Sequence, residues 1–277
     1  MPSVKQTCPH CPGAANVLVF KDRSGNVVRC LSCHLEFAEF FPDLNEAGSE
    51  IYSPNYFEKA LRLEEKRKAI YRQLLDEIET SLGGKGRLLD IGCGEGTLLR
   101  VAAEQGWQAE GTEVSAAAIR FSRGAAGILV HQGEAENLDL ERGGFDAIVL
   151  NHVLEHVRDP VRTLARVKEW LKPDGLVRLE VPNMASFSNT MKNLQSRLGL
   201  KRHPWKHYAT SHHFWFFTPS TLRRTLETAG LRVVRLKAPA RQWGRLTVVD
   251  RALNILFGPR HWGGRLVVYA RRAARFE

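Results

Sequence analysis

A chain of 277 residues with 43% hydrophobic and 25% charged residues has the make-up of a globular protein with room for one large α/β domain and a small accessory unit, which excludes two independent large domains. No apolar run approaches the roughly 20 residues of a membrane span, and residues 1–7 lack the apolar segment of a secretory signal, so a cytoplasmic chain that crosses no bilayer is expected. The formal charge of +10 is lopsided: residues 1–183 carry 22 Lys+Arg against 27 Asp+Glu, whereas residues 184–277 carry 18 against 3, and such a field either steers an anionic partner or forms a solubilising face.

The first element is set by cysteines. Cys8-Pro-His-Cys11 and Cys30-Leu-Ser-Cys33, with 18 residues between the pairs, have the spacing of a four-thiolate zinc site, since each Cys-x-x-Cys offers two sulfurs to one ion from a single tight turn. Residues 16–20 and 26–29 read as short strands around a turn at Asp22-Arg23-Ser24-Gly25, which makes a zinc ribbon. Its four sulfurs leave no open coordination position, so the ion is expected to be structural. Disulfides are disfavoured in a reducing compartment, and His10 and His34 are neighbours that could each replace a sulfur.

Residues 34–57 mix aromatics and prolines without a period, as a packed connector does. Leu61, Leu63, Ile70, Leu74, Leu75, Ile78 and Leu82 then predict an amphipathic helix over 56–82, ended by Gly83-Gly84 and covering one edge of the main domain.

Arg87-Leu-Leu-Asp90-Ile-Gly92-Cys-Gly94-Glu-Gly96-Thr97 is an apolar strand, a glycine turn and the start of a helix over 98–105. Glycines here let backbone approach a ligand. A dinucleotide fingerprint needs Gly-x-Gly-x-x-Gly, and counted from Gly92 its third glycine would fall at Thr97. The spacing Asp90-x-Gly92-x-Gly94-x-Gly96 resembles instead motif I of class I S-adenosylmethionine-dependent methyltransferases. A second strand over 107–112 ends at Glu113, where a carboxylate can accept both ribose hydroxyls. A third over 127–131 leads to Glu134-Ala135, similar to the family segment that caps the adenine amino group. A fourth over 145–150 opens onto Asn151-His-Val-Leu-Glu-His156, close to the family's post-strand-four loop. Asp159-Pro160 starts a helix to 171, Lys172-Pro-Asp-Gly175 turns the chain, and 176–181 is the fifth strand; 231–236 and 265–270 read as the sixth and seventh, forming an antiparallel edge.

The resemblance is dense over 85–182. It implies an α/β, Rossmann-like seven-stranded sheet with helices on both faces, preceded by the zinc ribbon. S-adenosylmethionine and a structural Zn2+ are the implied cofactors. Asp90, Gly92, Gly94, Gly96, Glu113, Glu134, Ala135 and Asn151 are the implied cofactor contacts, and Cys8, Cys11, Cys30 and Cys33 the zinc ligands. The chain then divides into a ribbon at 1–42, a linker and helix at 43–84, and a methyltransferase domain at 85–277 with acceptor-side insertions at 184–217 and 238–263.

For the acceptor, an oxygen nucleophile needs a base, and histidine suits proton removal at neutral pH. His152, His156 and His213 are the candidates, with His207 and His212 nearby; His152 is expected to face the acceptor, and His156 to open a helix. Ubiquinone-pathway O-methyltransferases carry Glu-x-x-Glu-His at this loop, but here His152 replaces the first Glu, which argues against a catalytic metal. Residues 243–257 form a helical apolar face that would lie on a membrane surface, cover the acceptor or pack as a lid.

The ribbon followed by this domain resembles bacterial methyltransferases of surface-polysaccharide and natural-product pathways. That implies a small acceptor, anionic or glycan-linked, methylated on O or N, since the further C-terminal domain of sugar C-methyltransferases has no room here. An RNA methyltransferase gripping phosphates with the ribbon and the basic last third is the alternative, although Asn151-His-Val-Leu lacks the Asn-Pro-Pro-aromatic loop of base-nitrogen methylation. A binding module that retains the fold without catalysis is the third reading.

Overall fold

The computed structural model describes residues 5–22, 25–41, 62–122, 128–198, 208, 210, 212–239 and 261–274. The connector at 42–61, His207 and the helix expected at 243–257 lie outside the described residues.

Three strands open the chain: β1 (Asn16–Asp22), β2 (Gly25–Cys30) and β3 (Glu36–Ala38), paired antiparallel in sequence order. Helix α1 (Glu64–Leu82) follows. Its last turn closes on Gly83 at φ 79, whose N–H donates to the carbonyl of Glu79; this left-handed cap is the stop expected from Gly83-Gly84.

The main sheet is α/β. After β4 (Arg87–Ile91) come α2 (Thr97–Glu104), β5 (Gln108–Glu113), α3 (Ala116–Ser122), β6 (Leu129–Gln132), β7 (Phe145–Asn151), α4 (Pro160–Trp170), β8 (Leu171–Pro182), α5 (Phe187–Arg197), β9 (Trp215–Phe216), α6 (Pro219–Thr228), β10 (Leu231–Lys237) and β11 (Arg265–Arg272). Seven strands stand in the order β10-β11-β8-β7-β4-β5-β6. The pairs from β8 to β6 are parallel, and β11 runs antiparallel to both β8 and β10. This is the fold class that the resemblance implied.

Successive strand residues feed opposite faces. Leu88, Ala147, Val149, Leu176, Val267 and Tyr269 pack with Leu74, Leu75 and Ile78 of α1 and Leu98, Val101 and Ala102 of α2. Leu89, Ile91, Ile148, Leu150, Leu179 and Val268 pack with Leu164 and Trp170 of α4 and Leu222 and Leu226 of α6. Burial on both faces is why the central strands are nearly unbroken apolar runs.

Two features depart from the sequence reading. Lys172–Gly175, expected as a turn before the fifth strand, interrupts a strand that has already begun: the pairing jumps from Phe145↔Leu171 to Ala147↔Leu176. Lys172 Nζ bonds the Asp146 carboxylate at 2.9 and 2.8 Å, fastening this bulge to β7. The second concerns the cysteine unit, whose sheet does not end at its own third strand. Glu36 and Phe37 of β3 pair with Phe216 and Trp215 of β9, and Phe37 and Phe41 meet Trp215 and Phe214 at ring separations of 5.6 and 4.4 Å. Cys8, Cys30 and Cys33 thus share one apolar core with the main sheet.

α1 is pinned onto the glycine turn by an ion pair between Arg67 and the buried Glu95, whose carboxylate also accepts from Thr97 Oγ1 at 3.1 Å. Removing one partner of a buried pair leaves the other charge desolvated. Arg67→Ala is therefore expected to lower stability by about 2 kcal/mol, moderated by the Thr97 hydroxyl; urea unfolding reads the change, and an unshifted midpoint would show that the pair does not anchor α1.

Candidate active site

The site lies where β4, β5, β6 and β7 end at their C-terminal edge, where an open α/β sheet leaves room for a ligand. Beyond β4, Gly92, Gly94 and Gly96 take φ of 67, 54 and 77, the left-handed region that side chains rarely tolerate. A Cβ at Gly92 would stand 2.7 Å from Val153 Cγ2, so the turn after β4 and the loop after β7 touch there.

Glu113 closes β5 with its carboxylate turned back to the glycine turn. Oε2 accepts from Gly94 N at 2.9 Å, and Oε1 accepts from Val114 N at 2.8 Å and Ser115 N at 2.9 Å. Beside it is the buried Asp90; burial, with the charges of Glu95 and Glu113, raises its carboxyl well above the usual carboxylate range. Beyond β6, Gly133 N donates to the carbonyl of Glu113, which sets Glu134 ahead of a short 3-10 turn at Ala135–Asn137. Glu134 Oε2 accepts from Asn137 Nδ2 at 2.9 Å, and Ala135 is buried. Asn151, at the end of β7, accepts from Arg178 through Oδ1. The structure thus gathers Asp90, the three glycines, Glu113, Glu134, Ala135 and Asn151 along successive strand ends.

The loop after β7 gathers the acceptor-side candidates differently from expectation. His156 does not open a helix: Asp159 caps α4, its Oδ1 accepting from Val161 N and Arg162 N, with Pro160 in the first turn. His152, at φ 54, was expected to face the acceptor but is held by carboxylates at both ring nitrogens, Nδ1 by Glu155 and Nε2 by Glu180, each at 3.3 Å. Burial opposes its protonation, but the hydrogen bonds and charges of Glu155 and Glu180 outweigh that and raise its pKa to about 9. Glu180 also takes Arg178 and Arg265; against burial, His152 and these guanidinium groups hold its carboxyl far below the usual range.

His156 Nδ1 donates to the carbonyl oxygen of His212 at 2.6 Å, which leaves the lone pair on Nε2. His213 rests against His156 at a ring separation of 4.8 Å, and burial, followed by the charge of His156, lowers its pKa to about 4. Phe214 N and Trp215 N donate to the backbone oxygen of Glu155 at 2.8 and 3.3 Å, and these bonds bring the two segments together.

Sequence reasoning placed Glu155 between His152 and His156 without giving it a role, and missed Glu180 and Arg178 as site residues. Arg178 and Glu180 stand between apolar Val177, Leu179 and Val181 on a buried strand; two charges of opposite sign in such a run are the signal that could have found them.

At the other end of the chain, Cys8, Cys11, Cys30 and Cys33 place their sulfurs within 4.8 Å of one another. A zinc tetrahedron with bonds of about 2.3 Å has edges of about 3.8 Å, so the donor set and spacing fit that ion. His10 turns away, its Nε2 bonding Thr225 Oγ1 at 2.8 Å.

A family model described as a methyltransferase domain matches residues 63–236, more than half of the chain. The ubiquinone biosynthesis O-methyltransferase of Ruegeria pomeroyi is 31% identical over 203 residues, covering 67% of this chain and 79% of its own. The protein of the same description from Dinoroseobacter shibae is 29% identical over 217 residues, covering 74% and 84%. Among solved structures, a SAM-dependent methyltransferase from Archaeoglobus fulgidus matches at a TM-score of 0.54 and 22% identity over 78% of this chain and 99% of its own. The Burkholderia thailandensis 1,6-didemethyltoxoflavin-N1-methyltransferase, with 1,6-didemethyltoxoflavin and S-adenosylhomocysteine bound, matches at 0.55 and 16% identity over 93% and 99%.

Proposed function

The chain belongs to the methyltransferase-domain family and is an S-adenosylmethionine-dependent methyltransferase, and on that premise we propose that it methylates a hydroxyl oxygen of a small molecule. The observation that carries this reading is the placing of Glu155 and His156 on a loop that touches the glycine turn at Val153, with His213 brought against them from the segment before β9. The names of the relatives with 79% and 84% of their length matched, both O-methyltransferases, support the same atom type.

The cofactor supplies an electrophilic methyl group on a sulfonium centre. Glu113 accepts the ribose hydroxyls, the turn at Gly92, Gly94 and Gly96 admits the methionine part, Glu134 and Ala135 border the adenine, and Asp90 and Asn151 complete the wall. In-line displacement then requires mainly that the nucleophile be close to the methyl group and that water be excluded. An acceptor hydroxyl adds the need to lose a proton, and the cluster at Glu155, His156 and His213 meets it. His152 and Glu180 are positioning residues: held as an ion pair, they fix the loop on which Glu155 and His156 stand. Cys8, Cys11, Cys30 and Cys33 hold a structural zinc ion.

Hydroxyls of glycans and natural products, and the phenols implied by the relatives' names, share the required chemistry. Nucleic-acid binding is less well supported. Of the basic residues after 184, Arg235 and Lys237 pair with Glu77, Arg265 with Glu180, and Arg271 with the carbonyls of Asp174 and Ser81, which commits them to the fold itself.

His156→Ala is expected to lower kcat about 100-fold, the usual contribution of positioned proton transfer, while leaving S-adenosylmethionine affinity unchanged. Steady-state rates and calorimetry on the same sample decide it; an equal loss of cofactor affinity would assign His156 to the cofactor pocket.

A further inference from the structure

Three carboxylates converge on the glycine turn, and among the described residues only two of them have partners of their own. Asp90, Glu95 and Glu113 are 4%, 3% and 3% exposed. Glu95 is paired with Arg67 and accepts from Thr97 Oγ1, and Glu113 accepts from Gly94 N, Val114 N and Ser115 N. No hydrogen bond or ion pair reaches the carboxyl group of Asp90 among the described residues. Asp90 stands on the side of the sheet that faces α1, in register with Val149 of β7, which is in register with Arg178 of β8. The cations that act on it are committed elsewhere, Arg67 to Glu95 and Arg178 to Asn151 and Glu180. Tyr71 of α1 and Cys93 of the turn are its other titratable neighbours, and burial pushes both up, so both stay neutral. Burial and the charges of Glu95 and Glu113 hold the Asp90 carboxyl well above its usual range, and Arg67 and Arg178 offset this only in part. A buried carboxylate without a partner is costly, and such a group keeps a proton instead.

We propose that Asp90 carries a proton in the empty site and releases it when the cofactor binds, its carboxylate then receiving the α-ammonium group of the methionine part. This rests on the assignment of the glycine turn to that part of the cofactor. The step is an exchange of cations. The carboxyl O–H of Asp90 gives its proton to water, the ammonium group takes the place of that proton, and no other bond of the cofactor or the chain changes. Glu95 and Glu113 already bring two negative charges to the turn, so a third is admitted only together with the positive group that balances it. Affinity is therefore linked to pH. As pH rises from the pKa of Asp90 in the complex to the higher one in the empty site, binding strengthens roughly tenfold per unit, and above that it levels off. The trigger is the ammonium group and not the sulfonium, so the demethylated product expels the proton as the cofactor does.

Calorimetry of the full chain at neutral pH, run in phosphate and in Tris, counts the proton, because the two buffers differ in their heat of protonation. Release of about one proton is expected for each S-adenosylmethionine or S-adenosylhomocysteine bound. None is expected for 5′-methylthioadenosine, which keeps the adenine, ribose and sulfur but has no ammonium group. Asp90→Asn should bind S-adenosylmethionine without proton release and with an affinity that no longer rises with pH. If the unaltered chain binds S-adenosylmethionine with the same enthalpy in both buffers, the proposal is overturned without recourse to a variant. Release that persists in Asp90→Asn, or that accompanies 5′-methylthioadenosine equally, overturns it by placing the proton on another group. A chain that binds 5′-methylthioadenosine as tightly as S-adenosylhomocysteine would instead remove the methionine part from the glycine turn, and with it the premise.

Discussion

Glu113→Ala should reduce S-adenosylmethionine affinity by about 3 kcal/mol, roughly 100-fold, in calorimetry. Two effects add. The ribose hydroxyls lose a charged acceptor, and hydrogen bonds to a charged group contribute more than neutral ones. The glycine turn also loses its brace, because Glu113 accepts from Gly94 N on one oxygen and from Val114 N and Ser115 N on the other. Glu113→Gln keeps the shape but turns an amide donor towards one of those N–H groups, so an intermediate loss is expected. Thermal unfolding of each variant distinguishes a lost contact from a lost fold. Unchanged affinity in Glu113→Ala would remove Glu113 from the cofactor site.

Removal of the zinc proposed at Cys8, Cys11, Cys30 and Cys33 should have the larger effect. A four-ligand zinc site contributes on the order of 10 kcal/mol to the folding of the unit that holds it, which is comparable with the whole net stability of a domain. Here that unit is continuous with the main core. β3 pairs with β9, and Phe214 and Trp215, beside and within β9, are the residues that hold the Glu155 carbonyl. Chelation, or Cys30→Ser, is therefore expected to release one zinc per chain, shift the fluorescence of Trp215 as its ring contacts with Phe37 and Phe41 are lost, and abolish methyl transfer. Cofactor affinity should fall much less, because the contacts of Glu113 with the glycine turn are made between β4 and β5. A metal-free chain that keeps its near-ultraviolet spectrum and full activity would contradict both the zinc and its coupling to the acceptor loop.

What could be read from the sequence was local. Asp90 to Gly96 and Glu113 follow short-range rules, a strand running into a turn that needs left-handed glycines and a second strand ending in a carboxylate, and the structure brings these residues together. The cysteine spacing is equally local. What escaped depends on pairing across long stretches of chain. β9 has two residues, Trp215 and Phe216, and nothing near them in sequence says that they extend the sheet of β1 to β3. His213 was a candidate from its resemblance to a segment that returns to the active-site mouth, but its contact with His156, beside Glu155, depends on the Phe214 and Trp215 bonds to the Glu155 carbonyl. The role expected of His152 failed to anticipate Glu180, which reaches it from β8, 28 positions later. The bulge at Lys172–Gly175 read as a turn because its residues are turn residues; the strand before it is shown by Leu171 pairing with Phe145.

Among the described residues no helix is long and apolar enough to cross a membrane. The most direct measurement of the central claim is the fate of a labelled methyl group. Purified chain, S-adenosylmethionine labelled at the methyl, and a panel of phenols, sugars, amines and cellular RNA would be incubated together and the products resolved by mass spectrometry. Label in an ether on a small hydroxylated molecule, formed about 100-fold more slowly by His156→Ala, is the expected result. Label in RNA, or on nitrogen alone, would contradict it.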